Sequence, residues 1–182
     1  MKTIIISYTL TGNNAALAKA VARNLDVPML TIREEKRRRM WNIVWDMMTN
    51  RNPKITEFSD DLEKYDLVIF SGPVWMGHIA TPFRSIFKKF HGRLKRYIYL
   101  SISGGADGDN LDLEKELIAR LGTAPEAVID LHIADLLPDD PKPERKDTMH
   151  YQLKDSDLKY LTGQVLEHPV FSTLPVEQGI SS

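Results

Sequence analysis

Short apolar runs alternating with amphipathic stretches set the rhythm of this chain. Five runs predict strands: Lys2–Ser7, Met29–Ile32, Leu67–Gly72, Tyr97–Ser103 and Val128–Ile133. The first, third and fourth are almost continuously apolar, as expected of strands buried on both faces of a parallel sheet. Helical patterns lie between them. Asn14–Leu25 is mostly Ala, Leu and Val, with small side chains suited to close packing on a sheet. Further on, Thr81 reads as an N-cap with Pro82 in the first turn. Phe83, Ile86, Phe87 and Phe90 follow at helical spacing, and Gly92 reads as the stop. A third helix, capped by Asp109 or Asn110, carries the stripe Leu113, Leu117 and Leu121 and ends at Gly122. A last helix spans Asp155 to Glu167 and is ended by Pro169. Strand and helix in alternation predict an α/β fold with right-handed crossovers.

Two of the strand ends carry unusual chemistry. After the first strand the chain reads Tyr8-Thr9-Leu10-Thr11-Gly12-Asn13-Asn14 and then enters the alanine-rich helix. The first turn of a helix leaves backbone N–H groups unpaired, and its dipole places partial positive charge there. Thr9, Thr11 and Asn13 add side-chain donors, and Gly12 lets an oxyanion approach the backbone closely. This is a phosphate cradle without lysine. Neither the Gly-Lys-Ser/Thr ending of the nucleoside-triphosphate loop nor the three spaced glycines of the dinucleotide fingerprint is present. After the third strand comes Ser71-Gly72-Pro73-Val74-Trp75-Met76-Gly77, a Gly/Pro turn holding a tryptophan. Loops seldom bury tryptophan fully, so its flat face is available to stack on an aromatic ligand; the alternative is an indole tucked over the Phe83/Phe87 face.

Tyr8-Thr9-Leu10-Thr11-Gly12-Asn13 together with Tyr65-Asp66-Leu67-Val68-Ile69-Phe70 and Pro73-Val74-Trp75-Met76-Gly77 resembles the flavodoxin family, at its two FMN-holding loops. The resemblance runs from Met1 to about Gly122 of the 182 residues. It implies a flavodoxin-like three-layer sandwich, a five-stranded parallel sheet in the order 2-1-3-4-5, with the ligand at the carboxyl ends of strands one and three. It implies FMN as cofactor. Thr9, Leu10 (through its backbone), Thr11, Gly12, Asn13 and Asn14 would hold the phosphate, and Pro73, Val74, Trp75, Met76 and Gly77 would border the ring. Many members have threonine where Asn14 stands; an asparagine can still donate through its amide. A third loop, Ser103-Gly104-Gly105-Ala106-Asp107-Gly108-Asp109-Asn110, follows strand four. Many flavodoxins carry a stacking tyrosine there. Glycines in its place leave one ring face open, with Ser103, Gly104 and Gly105 at the pyrimidine edge, while Asp107 and Asp109 disfavour an anionic reduced flavin.

Composition narrows the partners. At 182 residues and 42% hydrophobic content, the chain suits one domain, expected over 1–168 with a loosely ordered tail over 169–182. The absence of cysteine removes disulfides, thiolate metal centres and thiol nucleophiles. The opening apolar run is too short for a signal peptide, and no stretch is long enough to span a bilayer, so a cytoplasmic location is expected. A net charge of −1 gives no general pull toward nucleic acid or acidic membranes. It also sets the chain apart from the strongly acidic electron-carrier flavodoxins. Positive charge gathers at Arg33–Arg39, ahead of an apolar helical pattern over Met40–Met48 that includes Trp41, Val44 and Trp45. A homodimer contact, a cover over the flavin edge and a partner surface are its alternative roles. The Asp135–Tyr151 stretch, rich in Pro, Asp, Lys and Glu, reads as a long surface loop. The histidines at 78, 91, 132, 150 and 168 show no metal-binding spacing, and only His78 falls in the tryptophan loop.

The leading expectation is an FMN-binding redox protein, working either as an electron carrier with a redox partner protein or in NAD(P)H-linked reduction of a quinone-like acceptor. No residue stands out as catalytic. A receiver-like signalling module needs carboxylates at the ends of strands one and three. Ser7 and Ser71-Gly72 occupy those ends instead. A flavin-free scaffold that binds protein through the Trp41/Trp45 face is the remaining alternative.

Overall fold

The computed structural model describes residues 1–34 and 61–172. Strands β1 (Thr3–Ser7), β2 (Met29–Thr31), β3 (Leu67–Ser71), β6 (Tyr97–Ser103) and β7 (Ala127–His132) form one parallel sheet in the order β2-β1-β3-β6-β7. Counted among themselves these five strands run 2-1-3-4-5, as expected. Two further strands, β4 (Val74–Trp75) and β5 (His78–Ile79), make a small antiparallel hairpin that the sequence pattern did not reveal. Its turn, Met76-Gly77, has positive φ at both residues (48° and 78°), the backbone of a tight hairpin turn. Sequence usually announces such a turn with Asn-Gly; methionine disguises it.

Successive strand residues point to opposite faces, so each buried strand feeds two cores. Ile4, Ile6, Val68, Phe70, Tyr97 and Tyr99 face the helices Phe83–Lys89 and Leu113–Leu121, meeting Phe83, Phe87, Leu113 and Leu117. Ile5, Leu67, Ile69, Ile98, Leu100 and Ile102 face the helices Asn13–Leu25 and Asp155–Glu167, meeting Leu17, Val21, Leu161 and Val165. The result is three layers, with both helical layers supplied by the apolar stripes read from the sequence.

Four boundaries differ from expectation. Thr81 is not the N-cap; the helix starts at Phe83, with Pro82 at the cap position and Arg84 N–H donating to the Thr81 carbonyl. Asp112, not Asp109 or Asn110, precedes the Leu113–Leu121 helix, because the Asn110 amide is drawn to Asp130 on β7 (2.6 Å). The Asp135–Tyr151 stretch is not all loop: Arg145–Met149 is helical, with Glu144 and Asp147 forming a reciprocal capping box. Past Glu167 the chain makes a further helical turn, Pro169–Ser172, which buries Phe171 in the core. Phe171 and the partly buried Val170 both pack on the core from a segment with no visible period. The Met40–Met48 pattern and the arginines at 37–39 lie outside the described residues.

Candidate functional site

Ser7 pairs with Ser71, so β1 and β3 end level, while β6 runs on past Leu100, the partner of Ser71, to Ser103; in this parallel sheet the turns after all three leave at the same end. The first of them bends at Gly12, whose φ of 107° is outside the range L side chains favour, and delivers the chain into the Asn13–Leu25 helix. Thr9 shapes the bend by accepting the Gly12 N–H at its Oγ1 (2.9 Å). The backbone N–H groups of the helix's first turn point out of this bend, with no intrahelical acceptor available to them.

The side chains of Asn13 and Asn14 do something other than expected. Asn14 is buried; its Nδ2 donates to the Ile102 carbonyl (2.9 Å) while its Oδ1 accepts the Ile102 N–H (3.0 Å). Asn13 makes the same kind of two-way bond, to the Tyr151 carbonyl (2.8 Å) and the Leu153 N–H (3.2 Å). Both amides are therefore clamps between the turn and other stretches of backbone. Asn14→Ala leaves two buried backbone groups of β6 unpaired, at about 1–3 kcal/mol each. Chemical denaturation is expected to show a loss of at least 2 kcal/mol or so; a loss under about 0.5 kcal/mol, the surface-substitution range, contradicts the clamp.

The second and third turns enclose a cleft of about 620 Å³, within the size range of small-molecule sites. Val74, Met76, Gly77 and His78 form one wall; Ser103, Gly104, Gly105 and the Ala106–Asp112 segment form the other, with Arg145 and Thr148 closing one side. Trp75 is absent from this lining. Its indole is part-buried and packs edge-on to Tyr8 (centroids 5.9 Å apart), which is itself edge-on to Phe83. Pro73 likewise lies outside the lining, although its carbonyl and that of Gly72 are approached by the Tyr99 hydroxyl from beneath (3.4 and 3.2 Å). Burial pushes the Tyr99 phenol well up, so it remains a protonated donor under the second turn. His78 sits on the rim with its Nδ1 3.3 Å from Glu116 Oε2.

The third turn is tied down at several points. Its Asn110 reaches Asp130; the Gly104 carbonyl accepts the Ala134 N–H (3.0 Å); Arg145 bridges to both carboxylate oxygens of Asp107 (3.0 and 2.8 Å). A Cβ placed on Gly104 would meet Thr148 Oγ1 at 2.9 Å, and one on Gly105 would meet the His132 Cβ at 2.3 Å. Glycine is thus required at Gly105, where φ is also 75°, while a side chain at Gly104 would have to displace the Thr148 hydroxyl. Ser103 Oγ, buried at the cleft wall, has no hydrogen-bond partner among the described residues. The hydroxyls of Ser7, Ser71 and Ser101 on the neighbouring strands are buried in the same way. Among the described residues no cluster of side chains could hold a metal ion, and no helix is long and apolar enough to cross a membrane.

Solved structures that match this architecture include flavoproteins. A flavoprotein of Lactobacillus acidophilus, solved in complex with FMN, matches at 18% identity and a TM-score of 0.62, over 71% of this chain and 92% of that one. The apo form of the Lactobacillus acidophilus flavoprotein matches at 17% identity and a TM-score of 0.57, over 74% and 94%. A candidate flavoprotein of Bacteroides uniformis matches at 21% identity and a TM-score of 0.58, over 78% and 98%. The chain has the flavodoxin-like fold. No family model and no curated protein matches the sequence.

Within this flavodoxin-like fold, the structure adds residues that sequence reasoning overlooked. Asn110, Asp130, His132, Arg145 and Thr148 all support the third turn, and four of them come from beyond Gly122, where the resemblance stopped. Asp130 and His132 did leave a trace: two polar residues at i and i+2 of a strand share one face. The packing of Arg145 and Thr148 against the turn left none.

Proposed function

We propose that the protein binds FMN along the edge formed by the three turns and acts in redox chemistry. The observation that carries this reading is the cleft of about 620 Å³ between the Val74–Gly77 hairpin and the Ser103–Asn110 turn, at the end of the sheet where the bend at Gly12 also lies. The donor set suits the group. Thr9, Thr11 and the backbone N–H groups after Gly12 would hold the phosphate; Ser103, Gly104 and Gly105 offer a hydroxyl and backbone groups to a ring edge; Val74 and Met76 supply apolar contact. Leu10, exposed at the bend, contributes backbone only. Bound FMN would supply one- and two-electron transfer, which no side chain here can perform. The protein's part is to hold the phosphate, position the ring and set how much of it meets solvent. Asp109 adds negative charge on this turn and would oppose an anionic reduced state, whereas the charge of Asp107 is offset by Arg145.

The absence of an aromatic side chain from Ser103–Asn110 favours an accessible ring and with it an NAD(P)H-linked reduction of a small quinone-like acceptor; an electron carrier served by a separate reductase is the other redox role. One observation favours a flavin-free scaffold instead: the amides of Asn13 and Asn14 are engaged with the protein's own backbone. An absorbance spectrum of the purified protein, with added FMN and then NADPH, separates these readings. Bound flavin bleached by NADPH alone is the expected result. Bound flavin that stays oxidised until a separate reductase is supplied makes it a carrier, and failure to take up FMN at all leaves the scaffold.

A further inference from the structure

Beneath the third turn lies a titratable cluster that no step above uses. His132, at the end of β7, is only 8% exposed. Its Nε2 lies 3.3 Å from Asp130 Oδ2, and its Nδ1 lies 3.9 Å from both Asp109 Oδ1 and Asp135 Oδ2. These three carboxylates come from different places: Asp109 from the third turn, Asp130 from His132's own strand, and Asp135 from the turn after β7. Asp130 also accepts from Asn110 of the third turn (2.6 Å). The Gly105 backbone rests directly on the imidazole, since an added Cβ would lie 2.6 Å from its Cγ. The ring therefore has mechanical contact with the Ser103–Asn110 wall of the cleft and electrostatic contact with its far end.

We propose that His132 is a positioning residue for this wall: its imidazolium holds Asp109 and Asp130 together, and loss of its proton loosens Ser103–Asn110 and weakens FMN binding. The inference rests on the FMN reading and adds to it a group that touches no ligand. Three carboxylates around one imidazolium are mutually compatible; around a neutral ring they repel, and one ring nitrogen turns a lone pair toward a carboxylate. Asp109 stands on the exposed, glycine-rich turn, so that repulsion is relieved by movement of the turn and not of β7. The hydrogen bond to Asp130 lifts the His132 pKa above its ordinary 6.5; burial opposes this, and the charges of Asp130, Asp135 and Asp109 add to it. A raised pKa means that the stabilisation is complete below about 6.5 and is lost as pH rises through the folded-state value.

Nuclear magnetic resonance on the apoprotein tests the contact first. The His132 ring and the amides of Gly104, Gly105 and Gly108 are expected to titrate with one midpoint. Linkage is reciprocal, so saturating FMN must raise that midpoint, by one unit for every roughly tenfold fall in FMN affinity across the transition. Riboflavin, which lacks the titrating phosphate, is expected to show the same step. His132→Gln keeps a hydrogen-bonding side chain of similar size without the proton equilibrium and should remove the step. Loop amides that ignore the His132 titration, or a His132→Gln protein that keeps the parent's pH step, overturn the proposal. Should His132→Gln fail to fold, Asp109→Asn, at an exposed position, is expected to lower the His132 midpoint and shrink the step; an unchanged midpoint overturns it equally. A parent that takes up no FMN refutes the functional reading, while the apoprotein titration still decides whether His132 controls the turn.

Discussion

Gly12→Asp is expected to reduce FMN affinity by at least about a hundredfold while leaving the fold intact. Two effects add. Aspartate must adopt a φ of 107°, outside the conformations an L residue favours, at a cost of about 1–3 kcal/mol relaxed by shifting the bend. It also sets a carboxylate against a doubly charged phosphate at the helix N-terminus, reversing a charge-assisted contact of about 1.5–3 kcal/mol. Steric exclusion is not the cause, because a Cβ here would find its nearest neighbour, Gln152 Oε1, at an ordinary 3.9 Å. Gly12→Ala, with the backbone effect but no charge, should therefore fall between parent and Gly12→Asp. Flavin fluorescence quenching measures all three, with circular dichroism to verify folding. Equal FMN affinity in parent and Gly12→Asp moves the phosphate away from this bend.

Phe83→Ala is expected to cost about 3–5 kcal/mol of folding stability, a large share of the 5–15 kcal/mol typical of a domain. Phe83 is fully buried and joins four aromatic neighbours: it is edge-on to Tyr8, Phe70 and Tyr99 and stacked with Phe87 at 5.5 Å. It also lies so close to Gly72 that an added Cβ would fall 2.4 Å from its Cε2. The ring thus fixes the exit of β3 as well as the core. Gly72→Ala should be strongly destabilising in the parent and much less so beside Phe83→Ala, since the cavity admits the new methyl group. Urea denaturation of the two single variants and the double variant gives the coupling. Additive losses would mean that the two positions are independent and that Phe83 has no role in setting the second turn.

The fold was legible because its periodicities are strong. Strand β6 and the helix Asp155–Glu167 occur within the boundaries the pattern predicts; alternation gave the α/β class, and the order of the sheet is the one the flavodoxin resemblance implied. The three turns of the site were legible too, since Gly12, the Gly72–Gly77 stretch and Gly104-Gly105 mark them in the chain. Side-chain roles were harder. Asn13 and Asn14 have the same donors whether they face a phosphate or a backbone strand, and nothing local distinguishes the two. Trp75 offered a flat face to either a ligand or a core, and only the structure shows its part-buried indole edge-on to Tyr8.

Composition and pattern by themselves determined the layered α/β architecture and the edge on which a ligand would sit, because burial on two sheet faces imposes periods that survive in one dimension. Tertiary structure decided what those turns rest on. Asn14 meets Ile102 across 88 residues, and Asn13 meets Tyr151 across 138. His132 lies under Gly105 for the same reason: contacts between segments far apart in the chain depend on where folding brings them, and short-range pattern carries no record of that.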